Sequence, residues 1–106
     1  MGQERRKAPR AKVNLRARWE GNLGQQEATV TSLSKIGCFV LSGGKVEPKE
    51  LIRLEIIFPE DPAVYLWAEV VEEAEEIGFS MQFTSIEEAD QTRLGQFVEE
   101  CLTAKT

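Results

Sequence analysis

The 106-residue sequence contains no histidine, only two cysteines and no long hydrophobic run. Because histidine is the commonest metal ligand and general base, its absence argues against most hydrolytic and metal-dependent enzymes. Two cysteines, Cys38 and Cys101, do not make a disulfide framework in a chain of this size, and their apolar surroundings favour small buried side chains. No apolar run approaches the roughly 18 residues that a membrane span requires.

The N-terminal charges are not followed by a hydrophobic segment, so no secretory signal is expected. Hydrophobic residues make up 42% of the chain and charged residues 29%, which is typical of one soluble globular domain. These observations together predict a cytoplasmic protein that does not insert into a membrane.

The net charge of −5 is unevenly distributed along the chain. Residues 1–18 hold seven basic side chains and one acidic side chain, a net of +6, whereas the rest has a net of −11. A long polyanion would be repelled by most of this surface, so nucleic acid is not an expected partner. A small anion held at one place fits this distribution better.

The densest positive charge lies in Arg5-Arg6-Lys7-Ala8-Pro9-Arg10. Pro9 disfavours a helix at Ala8, so a flexible or extended basic arm is predicted over residues 1–12. A guanidinium group can form paired hydrogen bonds with a phosphate or with the O6/N7 edge of guanine. An anionic ligand with purine bases would suit such an arm, and a solvated tail without a ligand is the alternative.

Apolar and polar residues then alternate with a period of two, which predicts β-strands. The predicted strands cover 13–20, 27–32, 38–41, 51–58, 64–71 and 77–83, and the acidic cluster at 72–76 is expected to be a solvated turn. A helical apolar stripe follows, formed by Leu94, Phe97, Val98, Cys101 and Leu102. Ser85 and Glu88 have the spacing of a capping box, which places the helix start at Ser85. The predicted fold is therefore all-β dominated: residues 13–106 form a small six-stranded antiparallel β-barrel, and a C-terminal α-helix covers its open side.

Three motifs occur in order along this pattern: Arg6-x-x-x-Arg10, Ser32-x-Ser34-x-x-Gly37 and the closing strand Gly78-Phe79-Ser80-Met81-Gln82-Phe83. Together they resemble the PilZ domain family over nearly the whole chain. The family motifs are Arg-x-x-x-Arg and (Asp/Asn)-x-Ser-x-x-Gly. The resemblance implies a six-stranded barrel with a C-terminal helix. It also implies that the domain acts as a bacterial receptor for the second messenger cyclic di-GMP.

The resemblance also implies the ligand-binding residues, which are Arg5, Arg6, Arg10, Ser32, Ser34 and Gly37. By this likeness Arg6 and Arg10 hold phosphates and guanine edges, and the two serines hydrogen-bond a base. Ser32 departs from the motif, because the family has Asp or Asn there. A serine hydroxyl is shorter and a weaker acceptor, so weaker binding is expected, and the complete loss of binding stays open as the alternative. Gly37 is expected to have a positive φ or to permit a close backbone approach.

Two functions remain open at this point. In the first, the chain is a cyclic di-GMP sensor that acts on a protein effector. In the second, it is a degenerate PilZ-type adaptor of pilus or motility machinery that binds no cyclic di-GMP. No enzyme activity, cofactor or metal is expected, since neither a histidine nor a lysine–serine elbow accompanies Ser34 as a nucleophile would require. Trp19 and Trp67 are interpreted either as base-stacking or as packing residues, and the oligomeric state is open.

Overall fold

The alternating residues of the sequence form six strands in the computed structural model, which describes residues 8–74 and 76–104. A single helix follows the last strand. The elements are β1 (Ala11–Gly21), β2 (Gly24–Leu33), β3 (Gly37–Leu41), β4 (Leu51–Ile57), β5 (Val64–Ala74), β6 (Gly78–Ile86) and α1 (Glu88–Thr103).

The strands form a closed antiparallel barrel in the order β1-β2-β3-β6-β5-β4. Trp19 of β1 lies opposite Gln26 of β2 on one side and Leu54 of β4 on the other, and this β1–β4 pairing closes the barrel. Since neighbouring strands run in opposite directions, the connections collect at two ends. The start of β1, the β2–β3 turn and the β4–β5 loop lie at what we name the helix end. The β1–β2 turn, the β3–β4 loop and the β5–β6 turn lie at the hairpin end. The predicted fold class is confirmed.

Side chains that point inward form one apolar core. On β4 the alternation of the sequence puts Ile52, Leu54 and Ile56 on one face, and all three are buried. Trp19 is buried as well and meets Phe79 edge to face, with ring centroids 5.3 Å apart. Trp19 is therefore a packing residue.

The helix α1 covers the helix end of the barrel. Leu94 and Val98 are buried in the barrel core, and the rest of the predicted stripe is partly buried against it. Phe97 contacts Phe58 at the end of β4, with ring centroids 4.7 Å apart. Arg93 donates to the carbonyl oxygens of Pro62 at 2.7 Å and Ala63 at 3.2 Å. These contacts hold the helix against the β4–β5 loop.

The predicted capping box is wrong. Ser85 lies within β6, opposite Trp67 of β5, and the N-cap of α1 is Glu87, which makes no side-chain capping hydrogen bond. Cross-strand pairing extends β6 through the residues whose local sequence favours a helix start. Tertiary pairing therefore outweighs the local signal here.

The acidic cluster is also placed differently from the predicted turn. Glu72 and Glu73 extend β5 and pair with Ser80 and Phe79 of β6. Glu76 lies in the turn itself, with a φ of 68°. The polar side chains of a strand that faces water on one side resemble those of a turn, so composition alone did not separate the two.

Candidate ligand-binding site

The β1–β2 register places Arg10 of the first sequence motif near the second motif at the helix end. Ala11 lies opposite Leu33 and Lys12 lies opposite Ser32, so Arg10 comes just before the paired residues, beside the β2–β3 turn. Arg10 is exposed, whereas Ala8 is buried, and β1 takes in the last two residues of the predicted arm. Arg5 and Arg6 lie outside the described residues.

The charge of Arg10 acts on Cys38, the second residue of β3. Burial raises the pKa of the Cys38 thiol from 9.0 to about 12, and the positive charge of Arg10 opposes that rise. Cys38 pairs with Leu33 on β2. The Arg10 charge thus acts at the point where β1, β2 and β3 meet, and the thiol itself is an inert core group.

Ser34 builds the β2–β3 turn. Its Oγ accepts hydrogen bonds from the backbone N–H groups of Ile36 and Gly37, both at 3.1 Å, and donates to the Gly37 carbonyl at 3.3 Å. The backbone N–H of Ser34 also donates to that carbonyl, at 2.9 Å. Since a hydroxyl offers one donor and two acceptor positions, the turn uses its whole capacity. A contact between Ser34 and a base, as the resemblance implies, stays a prediction and would require one of these bonds to open.

Gly37 is needed for a close backbone approach. A Cβ at this position would overlap the carbonyl oxygen of Met81 on β6, the strand with which Gly37 pairs. Gly24 is the glycine with a positive φ in the described part of the chain. The second of the two expectations for Gly37 is therefore confirmed, and the positive φ is not found.

Ser32 lies on the outer surface of the barrel, between two irregularities in pairing. The register shifts between Lys12 and Leu15 on β1, and between Val30 and Ser32 on β2. Ser32 pairs with Lys12 on one side and with Phe39 on the other. Bulges of this kind re-aim side chains, so this part of β2 differs locally from a regular strand.

Lys12 and Phe39 are two neighbours that the motif analysis did not select. Lys12 is exposed and Phe39 is half-buried, and both flank Ser32 on adjacent strands. They supply a cation and an aromatic ring beside the motif serine. The alternation of the sequence could have indicated that both residues face outward near the motif. Only the strand register of the barrel shows that they are neighbours.

The β2–β3 turn also contacts the helix. Lys35 forms an ion pair with Glu99 of α1, with Nζ and Oε2 3.6 Å apart. A Cβ on Gly95 would lie 3.7 Å from Cε of Lys35, so the lysine side chain runs along the helix at Gly95. The turn that carries the second motif is thus in direct contact with α1.

Metal and membrane sites receive no support from this geometry. Over residues 8–74 and 76–104, no group of three or more His, Cys, Asp or Glu side chains is placed to hold a metal ion. The helix α1 is too short and too polar to cross a membrane.

The chain is similar in sequence to one protein family and in structure to several solved proteins. A protein-family model described as the PilZ domain matches residues 4–100. A search of curated proteins finds no significant match.

Among solved structures, the chain is similar to the *Bacillus subtilis* inhibitor of motility MotI/DgrA, at 20% identity and a TM-score of 0.84, over 98% of this chain and 54% of that one. It is also similar to the PilZ domain of YcgR from *Escherichia coli* with c-di-GMP, at 10% identity and a TM-score of 0.81, over 96% and 95% of the two chains. The *K. pneumonia* MrkH–c-di-GMP complex gives 15% identity and a TM-score of 0.81, over 97% and 54%. The chain spans about half the length of MotI/DgrA and MrkH, and these likenesses establish the fold.

Proposed function

Because this chain belongs to the PilZ domain family, we propose that it is a receptor for cyclic di-GMP that passes the signal to a protein partner in the cytoplasm. The observation that carries the proposal is the β1–β2 register, which sets Arg10 beside the Ser32–Gly37 motif. The YcgR and MrkH structures named above contain c-di-GMP, which supports the same ligand class here.

In this proposal the basic segment that precedes β1 closes over the ligand. Arg6 and Arg10 hold the two phosphates and the guanine edges through charge-assisted hydrogen bonds, and Arg5 adds positive charge or stacks on a base. The local field of this segment is positive although the chain as a whole is acidic, so a compact dianion gains from the site without meeting the acidic remainder.

The second motif supplies the surface on which a base rests. Ser32 offers a hydroxyl from β2, and Phe39 beside it offers an aromatic face. The Ser34 hydrogen bonds and the close packing of Gly37 keep the β2–β3 turn in one shape. Ser34 and Gly37 therefore contribute chiefly by pre-organising the turn, which lowers the entropy cost of binding.

In this proposal the helix α1 transmits the effect of ligand binding to the protein partner. Lys35 belongs to the β2–β3 turn and is paired with Glu99 of α1, and both side chains are well exposed. An exposed pair of this length is weak, so a change in the turn on ligand binding can alter it easily. A protein partner would bind the surface formed by the arm, the turn and α1, which differs between the ligand-free and the ligand-bound protein.

The second candidate function is a PilZ-type adaptor that has lost the ligand. Ser32 favours this alternative, because it stands where the family has Asp or Asn. Under this alternative the same protein partner is bound constitutively.

Calorimetric titration with cyclic di-GMP separates the two functions. We expect wild type to bind and Arg10→Ala to bind at least about 30-fold more weakly, since bidentate charge-assisted contacts contribute about 2 kcal/mol. Arg16→Ala is the matched control, because Arg16 is an exposed arginine on the same strand that lies opposite Thr29 and Ile57, away from the turn. Wild type that gives no heat at any ligand concentration would favour the adaptor. Equal losses in both variants would show a general charge effect and contradict the clamp.

A further inference from the structure

The outer face of β4 and β5 carries a stripe of exposed apolar side chains. Leu51, Tyr65, Trp67 and Val71 have exposed fractions of 55%, 55%, 45% and 59%. Leu51 lies opposite Glu69, which places it diagonally between Trp67 and Val71. The four side chains, which we name the β4–β5 stripe, therefore form one continuous surface about 20 Å long.

The β4–β5 stripe is separate from the ligand site. In the closed order β1-β2-β3-β6-β5-β4, strand β5 is three strands away from β2 in either direction. The stripe and the Ser32–Gly37 motif thus lie on opposite walls of the barrel. Large exposed aromatic residues are enriched in protein interfaces, and a contiguous set of them on a sheet marks an interaction surface.

Charged side chains of both signs surround the stripe, and several of them already contact one another. The Arg53 guanidinium lies 5.9 Å from the centroid of the Trp67 ring. The Tyr65 hydroxyl donates to Glu55 at 3.0 Å, and Glu55 is also paired with Arg18 at 3.7 Å. Glu69 lies beside Leu51, and Glu87 and Asp90 lie near Tyr65 and Trp67, so charges of both signs surround the stripe. A nucleic acid or an anionic lipid surface, which has negative charge only, would be repelled by these carboxylates.

A second copy of the chain fits this pattern. Around a two-fold axis the same patch meets itself, so a patch with both signs can place the arginines of one copy against the glutamates of the other. We propose that the β4–β5 stripe is the contact surface of a two-fold symmetric homodimer, with Trp67 at its centre. The proposal does not depend on cyclic di-GMP binding.

The size of the surface sets the strength of the association. The stripe and its flanking charges cover about 20 Å along the strands and about 15 Å across three of them. That is well below the roughly 800 Å² per partner of a standard stable interface. The dimer is therefore weak and reversible, and it forms over a concentration range of about 10 µM to about 1 mM.

Sedimentation velocity over that range, on the full chain, is the primary test. Wild type is expected to shift from monomer to dimer, and Trp67→Glu is expected to weaken association at least about tenfold, because a charge would be buried at the centre. Val71→Glu is a second variant at the edge of the stripe, with a smaller loss expected. Leu23→Glu is the matched control: Leu23 is 68% exposed but lies in the β1–β2 turn, away from the stripe. Circular dichroism verifies that each variant is folded.

Tryptophan emission provides a second readout. Trp19 is buried in the core and Trp67 is exposed, so the concentration-dependent part of the emission reports Trp67. A blue shift and reduced acrylamide quenching at high concentration are expected for wild type and for Leu23→Glu. Wild type that stays monomeric throughout, or association that is unchanged in both Trp67→Glu and Val71→Glu, would overturn the proposal. Cyclic di-GMP titration of the same variants is expected to be unchanged, which keeps this test independent of the proposed function.

Discussion

Glu50 provides the sharpest test of how the hairpin end is held together. Its side chain is buried, with only 6% of the residue exposed. The carboxylate accepts from the backbone N–H of Asn22 at 2.5 Å and from that of Glu47 at 2.8 Å. One buried carboxylate thus joins the β1–β2 turn to the β3–β4 loop, which are 28 residues apart in the sequence.

We expect Glu50→Ala to lower the free energy of unfolding by about 3 kcal/mol. Hydrogen bonds to a charged group contribute about 1.5–3 kcal/mol each, and the alanine removes two of them. Water reaches the two exposed turns and recovers part of this loss, so the expectation lies at the lower end of the sum. Glu50→Gln keeps one acceptor oxygen and places an NH₂ group against the second donor, so about half the effect is expected.

Urea unfolding followed by the emission of buried Trp19 measures both variants. Glu47→Ala is the control, because Glu47 is exposed and contributes its backbone N–H rather than its side chain to this contact. The control is expected within about 0.5 kcal/mol of wild type. A Glu50→Ala protein within about 1 kcal/mol of wild type would refute the reasoning, and so would Glu50→Gln being less stable than Glu50→Ala.

Three further predictions concern the helix end of the barrel. Ser34→Ala is expected to lower stability by about 1–3 kcal/mol and to weaken cyclic di-GMP binding, because two N–H groups of the turn lose their acceptor; unfolding and calorimetry measure the two effects. Ser32→Asn is expected to tighten cyclic di-GMP binding severalfold by restoring an acceptor of longer reach, and an unchanged titration would show that Ser32 does not contact the base. The pKa of Cys38 is raised from 9.0 to about 12 in the folded state, so the protonated thiol contributes to the free energy of unfolding. This contribution is fully present below pH 9 and is lost as the pH rises toward 12. Unfolding measured across this window is expected to show a loss that Cys38→Ala flattens, and an equal slope in both proteins would contradict the assignment.

The strands and the core face were predictable because both depend on local periodicity. The alternation on β4 gave Ile52, Leu54 and Ile56 as inward residues, and all three are buried. The spacing of Leu94 and Val98 likewise gave the buried side of α1. A period of two or 3.6 residues is written in the sequence itself, so no knowledge of the tertiary fold is needed.

Features that depend on pairing between distant strands were not predictable in this way. Ser85 has the sequence of a helix cap but is paired with Trp67, and Glu72 has the sequence of a turn but lies in β5. Lys12 and Phe39 became neighbours of Ser32 only through the register of three strands. The role of Ser34 was ambiguous for a related reason, since a serine that builds a turn and a serine that binds a ligand can share one motif.

The positions of the chain ends have a practical consequence for any surface-based binding measurement. The chain enters the barrel at Ala8 and β1, and it leaves through α1, and both lie at the helix end beside the β2–β3 turn. A molecule anchored to a sensor through this end of the barrel would have its β2–β3 turn toward the sensor surface. The β1–β2 turn at Asn22 and Leu23 faces the opposite way, and both residues are exposed. Attachment through a Leu23→Cys variant would present the β2–β3 turn to the solution.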